Sequence, residues 1–113
     1  MLAKQHRLAK EKDFKKINIT GRSFFTPCFK LKYLANKLEF SRFAIVASTK
    51  VSKKATQRNR LKRQLREIIR LNLNEIRTGY DIIIYLKSKA LDQHYQELER
   101  QTLALLAGAR LLK

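Results

Sequence analysis

Residues 50–70 combine a dense positive charge with an apolar stripe at helical spacing. The segment reads KVSKKATQRNRLKRQLREIIR and holds nine Lys or Arg residues against one acid, Glu67. Its apolar residues recur every three or four positions, which is the period of an amphipathic helix. They are Leu61, Leu65, Ile68 and Ile69. A solvated polycationic tail does not need such a stripe, so we predict a helix that packs on a core and presents positive charge to a polyanion.

The whole chain is strongly and unevenly basic. Its 113 residues suffice for one domain with a modest core, and its formal net charge is +17. The excess lies in residues 1–70, whereas residues 71–113 are close to neutral. Such a charge repels itself on a free protein and is neutralised by a bound polyanion.

Three kinds of anionic partner fit this charge: nucleic acid, an anionic membrane and an acidic protein. No apolar run approaches the roughly 18 residues of a transmembrane helix, and residues 1–19 lack the apolar core of a secretory signal. A single cysteine, Cys28, fits a reducing cytoplasm and is interpreted as a small apolar strand residue. We therefore expect a cytoplasmic protein without a membrane role.

Hydrophobic periodicity predicts elements in the order α-β-β-α-β-α. The predicted ranges are a helix at 9–19, strands at 29–34 and 42–48, a helix at 55–76, a strand at 80–86 and a helix at 91–107. Residues 24–27 are compatible with an extra strand, and residues 1–8 are predicted to form a loose basic arm. Gly21 is expected to end the first helix, and Thr56 is the predicted N-cap of the basic helix. The pattern indicates a single-domain α+β sandwich with one mixed sheet packed against helices.

On the basic helix, Arg58, Lys62, Arg66 and Arg70 form an i,i+4 row, with Asn59 and Arg63 beside it. If the helix has begun by Arg58, Arg60 lies about 200° from it, and the two cannot contact the same short stretch of a bound backbone. Arg60 must then reach another strand, a bend in the bound nucleic acid or a protein acid. A merely solubilising face is the alternative, but such faces usually mix charges of both signs. We favour a phosphate-binding face.

The aromatic residues Phe14, Phe29 and Tyr33 allow two interpretations. Each can be a core residue, or some of them can line a cleft on which unpaired bases stack. The alternation along the strand does not decide which of its two sides is buried.

Catalysis by the protein itself is not predicted. His6 and His94 lie far from any acid–base or metal-binding constellation in the sequence, and no phosphate-loop, zinc or nucleophile-elbow motif occurs. The sequence offers no obvious nucleophile.

The chain resembles the bacterial ribonuclease P protein family. Arg58-Asn59-Arg60-Leu61-Lys62-Arg63, followed by Leu65-Arg66-Glu67, matches the RNR signature of that family. The resemblance covers about residues 7–100. It is also carried by Arg7-Leu8, Asp13-Phe14, Gly21, Phe29, Arg42, the Lys50/Lys53/Lys54 loop and Asp81-Ile82-Ile83.

The resemblance implies that a large catalytic RNA binds Mg²⁺ and cleaves precursor tRNA, while the protein binds that RNA and the 5′ leader. It implies no metal held by the protein alone and no protein partner. The residues implied to bind the RNA subunit are Lys53, Lys54, Arg58, Asn59, Arg60, Lys62, Arg63, Arg66 and Arg70. Those implied to line a leader cleft between the first helix and the sheet are Phe14, Phe29, Tyr33 and Lys50. The family fold also implies a left-handed parallel crossover through the basic helix, where the general rule favours a right-handed one.

Four residues depart from the family pattern. Asn18 replaces an aromatic residue, Ala44 a glycine, Thr49 a basic residue and Lys87 an arginine. The first and third reduce the stacking area and charge of the leader cleft, so we hypothesise a weaker grip on the leader than in relatives.

Two other functions compete with this interpretation. A ribosomal or other structural RNA-binding protein can use the same kind of scaffold and charge. A protein nuclease in its own right would need catalytic residues that the sequence does not offer.

Overall fold

The structure, a computed structural model, describes residues 3–113 and contains three α-helices and four β-strands in that range. The helices are α1 (Glu11–Thr20), α2 (Ala55–Leu71) and α3 (Tyr95–Gly108), and the strands are β1 (Arg22–Phe25), β2 (Phe29–Ala35), β3 (Arg42–Val46) and β4 (Tyr80–Leu86). None of the helices within residues 3–113 is long and apolar enough to cross a membrane. The predicted order of elements is confirmed, and the extra strand is present as β1, two residues earlier than the predicted range 24–27.

The four strands form one mixed sheet in the order β1-β2-β4-β3. β1 pairs antiparallel with β2, β2 antiparallel with β4, and β3 parallel with β4. Ile82 is opposite Tyr33 on one side and Phe43 on the other. The predicted α+β sandwich with one mixed sheet is confirmed.

Alternate strand residues serve two separate cores. On one face, Leu31 and Ile84 pack with the buried stripe of α2 and with α3 in the larger core. On the other face, Ile83 packs with Leu8 and with Ile17 of α1. The sheet is therefore covered by α2 and α3 on one face and by α1 on the other.

The connection from β3 through α2 to β4 is left-handed, and Phe43 fixes this hand. The Phe43 side chain points to the α2 side. Its carbonyl accepts a 2.8 Å hydrogen bond from Leu8 on the edge of β3 away from β4. For an L-residue on an upward strand with its side chain toward the viewer, the backbone N–H and C=O point to the right. Viewed from α2, β4 therefore lies to the left of β3, as the resemblance implied and against the general rule.

The predicted helix ends differ at several positions. α2 stops at Leu71 rather than residue 76, because the Asn72 side chain donates to the Ile68 carbonyl at 2.8 Å and a 3₁₀ turn follows. The predicted N-cap was wrong, since Lys54 occupies that position without a side-chain cap and Thr56 lies inside the first turn. α3 begins four residues late because residues 88–92 form a separate 3₁₀ turn.

The segment predicted as a loose arm packs against β3 over its described part. His6 Nδ1 lies 2.8 Å from the Ser41 carbonyl oxygen, and Leu8 is only 5% exposed. Residues 1 and 2 of the predicted arm lie outside the described range. Residues 3–8 thus form part of the fold rather than a free tail.

Cys28 is fully buried in the larger core, which confirms its interpretation as a small apolar residue, but it lies in the turn between β1 and β2 rather than in a strand. Burial raises the pKa of its thiol. The side chain is therefore a neutral core residue at physiological pH.

Candidate nucleic-acid interface

One side of α2 packs against the core, and the opposite side carries positive charge. All four residues of the apolar stripe are fully buried, which confirms the predicted packing side. Arg60, Arg63 and Arg66 are exposed to solvent, and Lys62 is half-buried. The helix therefore holds its cations outward from a rigid support.

Arg58 has a structural contact as well as a charge. Its Nη1 donates to the Ser52 carbonyl at 2.8 Å, and Ser52 Oγ donates to the Gln57 side chain at 2.6 Å. These bonds tie the β3–α2 loop to the first turn of α2. The exposed ammonium groups of Lys53 and Lys54 stand on this ordered loop.

Arg70 is partly neutralised at the other end of the predicted row. Its Nε donates to Glu67 at 3.0 Å, and this hydrogen bond lowers the pKa of the Glu67 carboxyl. Both side chains are at the surface. Arg70 is consequently the member of the row least available to a phosphate.

Arg66 connects the charged face of α2 with the other side of the sheet. It lines a groove of about 360 Å³ along the outer edge of β3, together with Phe14 of α1 and Ala44 and Val46 of β3. Phe14 is half-buried there. The groove joins an aromatic ring to a guanidinium that makes no hydrogen bond or ion pair within residues 3–113.

Phe29 and Tyr33 do not share a groove with Phe14. In β2, Phe29 and Tyr33 face α2 and α3, whereas Phe14 packs on the opposite face. Phe29 is 0% exposed, so it cannot stack on an unpaired base. Their placement in the α1 cleft was therefore wrong, because the alternating side that carries Phe29 is the buried one.

The residues that face α1 from β2 are instead Lys30, Lys32 and Leu34. Lys32 Nζ donates to the Asn18 carbonyl at 3.3 Å, and the Tyr85 hydroxyl donates to Asn18 Oδ1 at 3.1 Å. Lys30 Nζ lies 5.4 Å from the centre of the Tyr85 ring. Cations at this distance are attracted to the negative face of the ring.

Phe25 of β1 extends this area toward the sheet edge. It is 60% exposed, and its ring centre lies 5.8 Å from Lys30 Nζ and 5.6 Å from Lys87 Nζ. We call the combined area the α1-side surface. It comprises Phe14, Asn18, Phe25, Lys30, Lys32 and Tyr85. The signal for it was the alternation of Lys30 and Lys32 with the apolar residues of β2, but the sequence did not show which side was open.

Two further predicted residues lie apart from this surface. Arg60 lines a separate groove between α2 and the start of α3, with Gln64, Asp92 and Tyr95. Arg58 does not line this groove, so the two arginines lie at different places on the surface of α2. Lys50 is exposed in the β3–α2 loop and does not line the groove at Phe14.

Within residues 3–113, no three His, Cys, Asp or Glu side chains converge in a group that could hold a metal ion. The interface instead consists of cations, aromatic rings and backbone carbonyls. Cations neutralise phosphates and aromatic rings stack on bases, so the fold and its surface define a small α+β protein built to bind single-stranded or folded RNA.

Comparison with known proteins identifies the family within this class of RNA-binding proteins. Residues 2–110 match the Ribonuclease P family model. The ribonuclease P protein component of Fusobacterium nucleatum is 38% identical over 109 residues, which cover 93% of this chain and 97% of that protein. The corresponding protein of a Pseudanabaena species is 38% identical over 113 residues, covering 99% and 97%.

Solved structures agree with the sequence comparison. The Staphylococcus aureus RNase P protein superposes with a TM-score of 0.88 at 27% identity, covering 96% of this chain and 98% of that one. The Thermotoga maritima RNase P protein superposes with a TM-score of 0.82 at 34% identity, covering 88% and 94%. The chain belongs to the ribonuclease P protein family, which confirms the resemblance found in its sequence.

Proposed function

We propose that the chain binds a catalytic RNA through α2 and the 5′ leader of precursor tRNA through the α1-side surface. As a protein component of ribonuclease P, it is the protein part of a ribonucleoprotein that processes tRNA 5′ leaders. The division of RNA between two surfaces, and precursor tRNA as the direct ligand, are the proposed parts. We also propose that the complex acts in the cytoplasm.

The groove at Phe14 and Arg66 is the observation that carries the proposal. It runs between the charged face of α2 and the α1-side surface along one edge of the sheet. A single strand leaving a structured RNA on α2 can pass Arg66 and enter the α1 side without crossing an acidic region. The two proposed binding surfaces therefore form one continuous path.

The chemistry of the α1-side surface suits an unpaired leader. Lysines bind phosphates without reading sequence, and aromatic rings stack on any base. Of these groups, Tyr85 and Phe25 already lie near lysine ammonium groups, so a base placed on either ring brings its phosphate close to a cation. Such a surface holds leaders of many sequences.

We propose that the chemical step belongs to RNA. Mg²⁺ held mainly by the RNA subunit would activate the attacking water, which is a usual role of a metal ion in phosphoryl chemistry. The protein's own residues neutralise backbone phosphates and orient the substrate. Counterion release from those phosphates supplies much of the binding free energy.

Reconstitution with the RNA subunit of the same genome tests this function. Cleavage of a precursor tRNA is measured at low Mg²⁺ with and without the protein. We expect the protein to stimulate cleavage strongly, because its cations replace the screening that low Mg²⁺ no longer provides. Absence of stimulation would favour the alternative of a ribosomal or other structural RNA-binding protein.

A matched pair of variants tests the leader surface separately. Lys32→Ala removes a cation from the α1-side surface, whereas Lys12→Ala removes one from the exposed outer part of α1. We expect Lys32→Ala to reduce the gain in affinity that a longer leader gives, and Lys12→Ala to leave that gain intact. Equal effects of the two substitutions would mean that the α1-side surface does not bind the leader, but they would not contradict RNA binding by α2.

A further inference from the structure

A second groove lies at the end of the sheet where α1 and α3 both stop. Its volume is about 440 Å³, and it is lined by Tyr33, Tyr80, Arg22 and Arg110, among others. We call these four residues the two-tyrosine pocket. Thr20 at the end of α1 also lines it, but no residue of the α1-side surface does.

The tyrosines offer ring surface rather than core packing alone. Tyr33 and Tyr80 come from the adjacent strands β2 and β4 and are both half-buried. Their ring centres lie 6.3 Å apart at an interplanar angle of 64°, which is an edge-to-face contact. In an edge-to-face contact, one of the two rings touches the other only with its edge. The faces of that ring are therefore not used in the tyrosine pair, and a base can stack on one of them. Neither phenol makes a hydrogen bond to another described residue.

The arginines supply charge on the same side. Arg22 is opposite Tyr33 in the β1–β2 register, and Arg110 follows the end of α3. Both side chains are exposed and make no ion pair within residues 3–113. Each guanidinium can therefore meet a phosphate without first breaking an internal contact.

Arg110 has an unusual backbone for its residue type. Its φ is 61°, and the N–H of Leu111 bonds back to the Leu106 carbonyl at 2.8 Å, closing the helix end. This left-handed position normally favours glycine. The chain thus places a long cation at the rim of the pocket in a conformation that costs backbone free energy.

We propose that the two-tyrosine pocket binds an unpaired nucleotide of RNA. The base stacks on Tyr33 or Tyr80, and the flanking phosphates lie near Arg22 and Arg110. Tyr33 then contacts RNA as a stacking residue, but on the α3 side of the sheet and apart from the proposed leader path. The pocket is an additional binding site for a single strand, and it does not depend on which RNA the α1-side surface holds.

Photo-crosslinking of the full chain to a 12-nucleotide single-stranded RNA with scattered 5-iodouridines tests the site. This probe crosslinks to aromatic side chains in stacking contact, and mass spectrometry locates them. We expect crosslinks at Tyr33 or Tyr80 in addition to any at Tyr85, which reports on the other face. Crosslinks confined to Tyr85 and the rest of the α1-side surface would overturn the proposal and leave the leader path intact.

A charge-matched pair of variants provides the second measurement. Arg110→Gly removes the guanidinium and also relieves the left-handed strain, so the thermal midpoint should be maintained or raised. Arg100→Gln removes the same charge from α3 away from the pocket. We expect Arg110→Gly to lower affinity for the same oligonucleotide about fivefold and its salt slope by about 0.7, with a smaller change for Arg100→Gln.

Two outcomes of these measurements count against the pocket. Equal losses for Arg110→Gly and Arg100→Gln would mean that only net charge matters. A concentration-dependent dimer in sedimentation that Tyr80→Ser abolishes would assign the pocket to a second copy of the chain instead of RNA.

Discussion

Arg42 and Asp81 form a two-point ion pair across the parallel strands β3 and β4. Arg42 Nε lies 2.8 Å from Oδ1 and Nη2 lies 2.7 Å from Oδ2, and this hydrogen bonding raises the pKa of Arg42. The remaining Nη1 lies 3.4 Å from the carboxylate of Asp13 in α1. Because Phe14 follows Asp13, the pair also positions the aromatic ring of the proposed leader path.

Replacing Asp81 with Asn should destabilise the fold by about 3 kcal/mol. The Asp81 side chain is only 8% exposed, and Asn36 also donates to its Oδ1 at 2.9 Å. An amide at this position would lose the negative charge and turn its NH₂ group toward Arg42 or Asn36, both of which are donors. Urea unfolding followed by circular dichroism measures the change.

Asp13→Asn is the matched control. Its ion pair with Arg42 is longer, so its loss should cost under about 1 kcal/mol. If Asp13→Asn destabilises the fold as much as Asp81→Asn does, the contact of Arg42 with Asp13 contributes as much stability as its two-point pair with Asp81, which contradicts the prediction.

Gly21→Ala should destabilise the protein by about 2 kcal/mol. Gly21 ends α1 as predicted, but its φ is −73°, so the need for glycine is not conformational. A Cβ there would lie 2.4 Å from the Ile17 carbonyl oxygen and 3.0 Å from that of Tyr33. Both contacts are to backbone, so α1 itself must shift away from the sheet.

Thermal unfolding and precursor-tRNA affinity should therefore both decrease in Gly21→Ala. Thr20→Ala is a suitable control, since Thr20 is exposed and, within residues 3–113, its side chain bonds only to the Lys16 carbonyl. An unchanged thermal midpoint for Gly21→Ala would show that α1 moves without cost.

Strong, one-sided patterns in the sequence predicted the corresponding parts of the fold. The stripe of α2 and the continuous apolar run of β4 have only one way to be buried. β4 formed over its predicted range, and α2 began where predicted but ended five residues early. β2 was different, because Lys30 and Lys32 alternate with residues that either face could accept. Only the packing of α2 and α3 against Leu31 and its neighbours decided which side was buried, and those contacts are distant in sequence.

The candidate binding site, like the fold, was predicted only where the sequence pattern was one-sided. The charged face of α2 followed from helix geometry, whereas the exposed aromatic Phe25 had no local signal separating it from the packed Phe24 beside it. Their difference arises from the β1–β2 register, which places Phe24 opposite Leu31 and Phe25 opposite Lys30. Register between strands is set by the whole sheet and is not visible in one segment.

Arg66→Ala should lower the salt slope of RNA-subunit binding by about one without a change in stability. Arg66 is exposed and makes no hydrogen bond or ion pair within the described residues, so its charge is available to a phosphate. Arg58→Ala should lower the slope similarly but also reduce stability, since it loses the bond to the Ser52 carbonyl. Filter binding over a range of salt concentrations, with parallel urea unfolding, separates the two effects.

Arg70→Ala serves as the comparison in that series. Its guanidinium is engaged by Glu67, so its removal should change the slope less than that of Arg66. If all three substitutions change the slope equally, α2 acts only through its total charge.

Asn18→Phe should strengthen the dependence of precursor-tRNA affinity on leader length. Asn18 lies one turn after Phe14, and its side chain now accepts the Tyr85 hydroxyl at 3.1 Å. A ring at this position would add stacking area between Phe14 and Tyr85, both of which lie on the α1-side surface. One additional stacked base corresponds to about 1 kcal/mol, or about fivefold in affinity for long leaders over short ones.

Ile19→Phe is the control for this gain, since Ile19 is the next residue of α1 and is 81% exposed on its outer side. It adds the same ring to the same helix but outside the proposed path. Equilibrium binding of precursor tRNAs that differ only in leader length compares the two variants. A leader-length dependence that is unchanged in Asn18→Phe, or equally increased in Ile19→Phe, would contradict the weaker leader grip attributed to Asn18. A selective gain in Asn18→Phe would place the leader between α1 and the sheet, because only there can a ring at position 18 meet a base.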